Sequence, residues 1–275
     1  MIADSCAEYA NLIFNNSDDY SGSTLLLGAI FFSFQIYGDF SGYSDIAIGT
    51  SRLFGFDLMR NFAFPYFSRD IAEFWRRWHI SLSTWFRDYL YIPLGGSRGG
   101  TGMKIRNTFI IFIVSGFWHG ANWTFVIWGA LNALYFIPIL LTNNNRNNLE
   151  IVAQGKTLPS FKEAYQILFT FSLTMLAWIF FRAEDLSHAL SYLAEIFSRS
   201  VLSIPQFKGM TDAVYACLLL LLFIVLEWKG RAGKYGIETL GLKWKRSYRL
   251  ITYYFFTFLI LTSMGHEQEF IYFQF

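Results

Sequence analysis

Charge is scarce in this sequence. Lys, Arg, Asp and Glu make up 15% of the 275 residues, where an average soluble domain carries roughly 25%. The net charge is only +2, too small to draw the chain to nucleic acid. Cysteine is as sparse. Cys6 and Cys217 stand far apart, so neither a disulfide framework nor a thiolate metal site follows. Cys217 lies inside AVYACLLLLLFIVL and reads as a small apolar residue. The N-terminus, MIADSCAEYANLIF, has no cationic stretch ahead of an apolar core, so it lacks the form of a secretory signal peptide. No repeat, Gly-rich phosphate loop, nucleophile elbow or CxxC pair occurs.

What the chain has is apolar and aromatic: 54% hydrophobic residues and 20% Phe, Trp and Tyr. Several runs are long enough to cross a bilayer as helices. The expectation is an all-α integral membrane protein, with residues 1–275 as one membrane domain. In order, residues 1–14 are weakly amphipathic, with Ile2, Cys6, Tyr9 and Ile13 at helical spacing. Residues 24–37 form an apolar helix that runs into GDFSGYSDIAIG. Asp39 and Asp45 there are too costly to face lipid and should face protein or water. A backbone hydrogen bond near a helix end is the simpler role for Asp45. Gly38, Gly42 and Gly49 allow close packing or a broken helix. Further spans are expected at 166–181, 212–228 and 249–264, with a short surface helix at 185–197 carrying a solvated His188.

Between the spans lie two basic stretches. Residues 52–106 carry nine Arg and Lys, and residues 228–250 carry seven more. Within the first, residues 71–91 read as one amphipathic interfacial helix, with Trp75, Trp78, Leu82 and Tyr89 on one side and arginines elsewhere. Glu73 and Arg77 are one turn apart and can pair. If both basic stretches are cytoplasmic, an even number of crossings separates them. The apolar run 107–141 must then cross twice or re-enter. A re-entrant break is tolerated only where it is buried in protein or lines a cavity, which would put the Trp118-His119-Gly120 break inside the protein near mid-membrane.

Two of the four histidines follow a tryptophan, as Trp78-His79 and Trp118-His119. From residue 109 to 121, His119 is the sole titratable side chain. An ionisable group at membrane depth is a functional hypothesis by default, set against a core histidine bonded to a backbone carbonyl. His266 with Glu267 and Glu269 could suggest a metal set, but HEQE lacks the second histidine of a zinc helix.

Four strings carry a resemblance: QIYGDFSGYSDIAIGTSRLFGFDL, FWRRWHISLSTWFRDYLYIPLGG, RNTFIIFIVSGFWHGANWTFVIWGALN and EFIYFQF. They resemble the membrane-bound O-acyltransferase family, in particular the branch that acetylates alginate and other exported polysaccharides or D-alanylates teichoic acid. The likeness runs over nearly the whole chain. It implies a multi-helix bundle with re-entrant and interfacial helices around a central tunnel, of which this chain resembles the C-terminal part, without the helices that precede it in the family. It implies transfer of an acetyl group, from acetyl-CoA or a similar thioester entering on the cytoplasmic side, to hydroxyls of an exported polymer. It places the protein among the lipids of a bacterial inner membrane, beside an exported polysaccharide or a periplasmic acyl-transfer partner. The family's essential histidine falls on His119 and its second histidine on His79.

On this expectation His119 is the general base, a role that suits an imidazole kept neutral by burial. His79 orients the donor or polarises the thioester. Asp39 would fix a histidine tautomer or line the acceptor side. Trp118 is a candidate substrate contact, with packing as its simpler role. Arg76 and Arg77 would meet donor phosphates, with topology and headgroup contact as the simpler role. No metal or bound cofactor is expected. Against the enzyme stand a non-catalytic truncated or scaffold subunit of a polysaccharide-modification complex, and a transporter, which the lack of internal repeats weakens.

Overall fold

In the computed structural model the described residues are 1–262, and among them every regular element is helical. The helices are α1 (Ile2–Asn15), α2 (Gly22–Leu53), α3 (Ile71–Arg77), α4 (Ile80–Phe86), α5 (Gly100–His119), α6 (Trp123–Leu141), α7 (Phe161–Arg182), α8 (Leu186–Ile196), α9 (Met210–Gly230) and α10 (Arg246–Thr262). Four of them, α2, α6, α7 and α9, are long and apolar enough to cross a membrane. His266, Glu267 and Glu269 lie outside the described residues.

Antiparallel hairpins organise the bundle. α1 packs along α2, and Ser21 and Ser23 near the start of α2 sit beside the α8 end, where Gly22 N–H donates to Ser200 and Ser23 bonds Ser203. α5 and α6 form a second hairpin with its backbones nearly in contact. A side chain at Gly116 would collide with the Phe125 carbonyl, and one at Gly129 with the Phe112 carbonyl. Small residues at such positions let membrane helices approach closely. The hairpin turn is tied to the α7–α8 joint, because Asn122 caps α6 through Thr124 N–H and donates to the Glu184 carbonyl.

This arrangement resolves the long apolar run. Residues 107–141 form the two arms of a hairpin, α5 and α6, of which α6 is long and apolar enough to cross a membrane. The break at Gly120 falls at the tip of the hairpin, not halfway along a crossing, because α5 runs for 20 residues before it ends. The break is set by Asn122, an N-cap residue, and not by a kink within the span. Of the two readings of Gly38, Gly42 and Gly49, a broken helix is absent, and Gly38 packs closely on Ala3 of α1. α2 is a single helix of 32 residues, and its later half, with Tyr43, Ile46 and Leu53, is exposed.

The two ends of the bundle differ in charge. Arg60, Arg69, Arg76, Arg146, Lys156 and Arg231 gather at one end. Asp18, Asp19, Glu184, Asp185 and Glu195 gather at the other, where α1 and α7 end and α2 begins. That segregation matches a positive-inside orientation.

The expected single helix at 71–91 is three pieces. α3 ends at Arg77, His79 adopts a left-handed backbone at φ 42° and ψ 57°, and α4 restarts at Ile80. A π-turn, Arg87–Tyr91, then follows α4 directly. The break is possible because residues 61–63 satisfy the interrupted backbone. Asn61 accepts from Ile80 N–H through its carbonyl and from Ser81 N–H through its side chain. Ala63 N–H donates to the Arg77 carbonyl. Amphipathic spacing cannot foresee this, since the partner lies ten or more residues upstream.

The start of α3 is fixed by a buried carboxylate. Glu73 is 1% exposed and accepts from the Arg69 backbone and guanidinium and from Arg77 at 2.7 Å. Asp70 caps the helix by accepting from Glu73 N–H and also accepts from Asn148. Arg69 reaches Glu163 at the start of α7 at 3.8 Å. Removing one partner of such a buried set strands the others. Glu73→Ala is therefore expected to destabilise the fold by about 3–5 kcal/mol, and to lower the thermal midpoint far more than Asp88→Ala, which breaks the exposed Arg87–Asp88 pair. Equal shifts in detergent would show that the cluster is not an anchor.

Candidate active site

The break at His79 has a geometric consequence. A continuous helix would carry residues 78–86 on along the α3 axis. The left-handed residue turns the chain instead, so that Trp78 and His79 both point into the bundle. Backbone strain of this kind collects at functional sites. Burial pushes the His79 imidazole down to about 4, so it is neutral at ordinary pH. Its Nδ1 lies 3.5 Å from the Ser81 hydroxyl, and its ring meets Phe40 edge-on at 4.6 Å.

His119 arrives from the other direction, as the last residue of α5. Its ring is enclosed edge-on by aromatics: Trp118 at 4.9 Å, Phe181 at 5.0 Å and Trp128 at 5.3 Å. Forty positions apart in sequence, His79 and His119 line one chamber of about 200 Å³. Its walls are largely indole and phenyl: Trp75, Trp78, Trp118, Trp128, Trp178 and Phe181 with Ile36 and Phe40. The chamber holds two imidazoles able to accept or donate protons among largely apolar walls, a setting in which hydrogen bonds are strengthened.

Three chamber residues, Trp75, Leu82 and Ser115, also line a second cavity of about 330 Å³. Arg76, Arg87 and Arg146 line that vestibule, at the basic end of the bundle. A vestibule with three arginines on an otherwise largely apolar lining thus adjoins an aromatic chamber with two imidazoles.

The expected site residues divide accordingly. His79, His119 and Trp118 are brought together in the chamber. Arg76 stands at the vestibule and donates to the carbonyls of Asn145 and Asn148. Arg77 turns inward to Glu73 and the Ala63 carbonyl, so its charge is committed to the fold. Asp39 lines neither cavity. It sits with Asp45, Glu227 and Lys234 in a separate groove of about 590 Å³. The Phe40 and Phe62 rings, packed edge-to-face at 5.0 Å, stand between that groove and His79. In this groove the Tyr37 hydroxyl donates to Glu227. His188 is half-buried between Phe14 and Tyr192, not solvated, because α8 packs its apolar face on α1 and α2.

Trp128, Trp178, Asn132 and Arg146 have no role in the sequence reading, and Trp75 enters it only as part of an apolar stripe. Asn132 had a usable signal, as the lone amide inside the apolar run WTFVIWGALNALYFIPILL. The indoles had none, because an aromatic stripe reads equally as core.

Comparison with known proteins fits this geometry. Residues 16–181 match the model of the membrane-bound O-acyltransferase family, a span that contains both histidines. A probable alginate O-acetylase of Azotobacter vinelandii is 43% identical over 230 residues, covering 83% of this chain and 44% of that protein. A probable alginate O-acetylase of Pseudomonas putida is 38% identical, covering 100% of this chain and 58% of its own length. A peptidoglycan O-acetyltransferase of Helicobacter pylori is 40% identical over 193 residues, covering 70% of this chain and 35% of that protein. The chain spans about half the length of the curated alginate O-acetylases it matches. On its matched span and its shared motifs, this chain belongs to the membrane-bound O-acyltransferase family.

Proposed function

We propose that the chain carries the reaction centre of an O-acyltransferase. In this reading it moves an acetyl group from a cytoplasmic thioester, such as acetyl-CoA, to a hydroxyl of an exported polysaccharide at a bacterial inner membrane. The observation that carries the reading is the convergence of His79 and His119 on one small aromatic chamber that adjoins a cationic vestibule.

The chemistry follows from the donor set. His119 takes the proton of the acceptor hydroxyl as its oxygen attacks the thioester carbonyl carbon. The carbonyl π electrons move to oxygen. In the tautomer in which His79 Nδ1 accepts from Ser81, its Nε2–H remains free to donate to that developing oxyanion. The C–S bond then breaks, and the proton held by His119 passes to the leaving thiolate. The donor's phosphates rest against Arg146 and Arg87. Arg87 is paired at the surface with the exposed Asp88, where water screens the pair, whereas Arg77 is buried against Glu73. The acceptor, free or carried by a periplasmic partner protein, approaches from the Trp118 side, at the acidic end of the bundle.

Three outcomes test the reading. Expressed from its own locus at equal protein level, His119→Ala is expected to lose polysaccharide O-acetylation by about 10²–10⁴-fold. Full retention of acetylation would return this chain to a scaffold role. Arg146→Ala with Arg87→Ala is expected to raise KM for acetyl-CoA severalfold with little change in kcat, as for a contact shared by ground and transition states. A fall in kcat alone would place those arginines elsewhere. Because His79 stays neutral well below neutrality, the rate ratio of wild type to His79→Gln is expected to be flat between about pH 5.5 and pH 8. A ratio that collapses towards the acid end would mean that His79 titrates in that range.

A further inference from the structure

The wall between vestibule and chamber is formed by Trp75, Leu82 and Ser115, which line both cavities. Trp75 is the largest of the three, and its indole is held from outside its own helix. Its Nε1–H donates to Asn132 Oδ1 at 3.2 Å. Asn132 is 1% exposed, in the middle of an apolar crossing helix. Its amide N–H donates back to the Trp128 carbonyl on the same helix at 2.9 Å. The indole is wedged edge-on against Phe112 at 5.1 Å, Phe74 at 5.4 Å and Trp128 at 5.8 Å.

A buried amide in a membrane-crossing helix is costly unless satisfied, and an apolar pair of the same shape would fill the space without that cost. What the hydrogen bond adds is orientation. A phenyl ring at position 75 could tilt, whereas the tethered indole has one setting.

We propose that Trp75, positioned by Asn132, is the specificity-determining partition of the site. It admits a thioester bearing a two-carbon acyl group to the histidines and rejects longer chains. The proposal rests on the acyl-transfer reading given above. An acyl group that enters from the vestibule must pass the Trp75 edge and then lie in a chamber of about 200 Å³, walled on the bundle side by Trp78, Trp128 and Trp178 and open beside the exposed Trp118, where the acceptor enters. Each extra methylene that must be held against those indoles is discriminated on the order of tenfold. Tilting or removing the indole joins the chamber to the vestibule and gives a longer chain somewhere to lie. Asn132 touches no reacting atom in this scheme and acts only through Trp75.

The test uses membranes from cells expressing the protein from its own locus, with acetyl-, butyryl- and octanoyl-CoA as donors and thiol release as the readout. The variants are Trp75→Ala, Asn132→Leu and Leu82→Ala. The last widens the same partition from α4 without touching the hydrogen bond. The expected result is a rise in the butyryl-to-acetyl ratio of kcat/KM on the order of tenfold in Trp75→Ala and Asn132→Leu, and a smaller rise in Leu82→Ala. Trp75→Phe is expected to behave like Asn132→Leu, since it keeps the ring but loses the tether. A general loss of packing would lower turnover of all donors together and leave the ratio fixed. Wild-type membranes that turn over acetyl-CoA, with variants at normal protein level and an unchanged ratio, would overturn the partition alone. Wild-type membranes that use none of the three thioesters would overturn the acyl-transfer reading, and the partition with it.

Discussion

The left-handed backbone at His79 decides how the rest of the site is assembled. A helix that continued through residue 79 would keep Trp75, Trp78 and Leu82 on one stripe of a single rod. The break lets α3 and α4 diverge, so that their residues line different sides of the same hollow. It holds because each interrupted backbone group has a partner: Asn61 for Ile80 and Ser81, and Ala63 for the Arg77 carbonyl. It also needs a fixed origin, and the Glu73 carboxylate between Arg69 and Arg77 supplies one. The buried ion cluster and the strained residue therefore form one device, in which the first anchors the element that the second redirects.

Around that device the molecule is graded from one end to the other. Arginines line the vestibule, aromatic rings line the chamber, and acidic side chains gather where α7 ends and α8 begins. The gradient suits the transfer proposed above, from a polyanionic thioester to a neutral hydroxyl. Charge is useful where phosphates bind and harmful where an imidazole must stay neutral. Among the described residues the chamber lining carries no acidic side chain, and a carboxylate beside either histidine would favour the charged ring.

Much of this was legible in the sequence, for identifiable reasons. The crossing helices α7 and α9 were found within a few residues, because twenty apolar residues have few alternatives in a membrane. His119 stands out as a lone titratable group in an apolar run, and the charge of the flanking loops required 107–141 to cross twice or re-enter, which leaves room for the α5–α6 hairpin. The Glu73–Arg77 pair followed from helical spacing. What failed were features set by distant partners. The turn at His79 depends on Asn61, the inward commitment of Arg77 on Ala63, and the separation of Asp39 from the histidines on the edge-to-face Phe40–Phe62 pair. Trp75 and Asn132 are 57 positions apart, and neither residue alone reveals their hydrogen bond.

The most direct test of the central claim is an experimental structure of the protein bound to a non-hydrolysable acetyl-CoA analogue in which an ether-type linkage replaces the thioester sulfur. The account predicts the acetyl carbon between His79 and His119, the pantetheine arm passing Trp75, and the phosphates against Arg87 and Arg146. An analogue seated in the groove beside Asp39 and Glu227, with the histidine chamber empty, would contradict it.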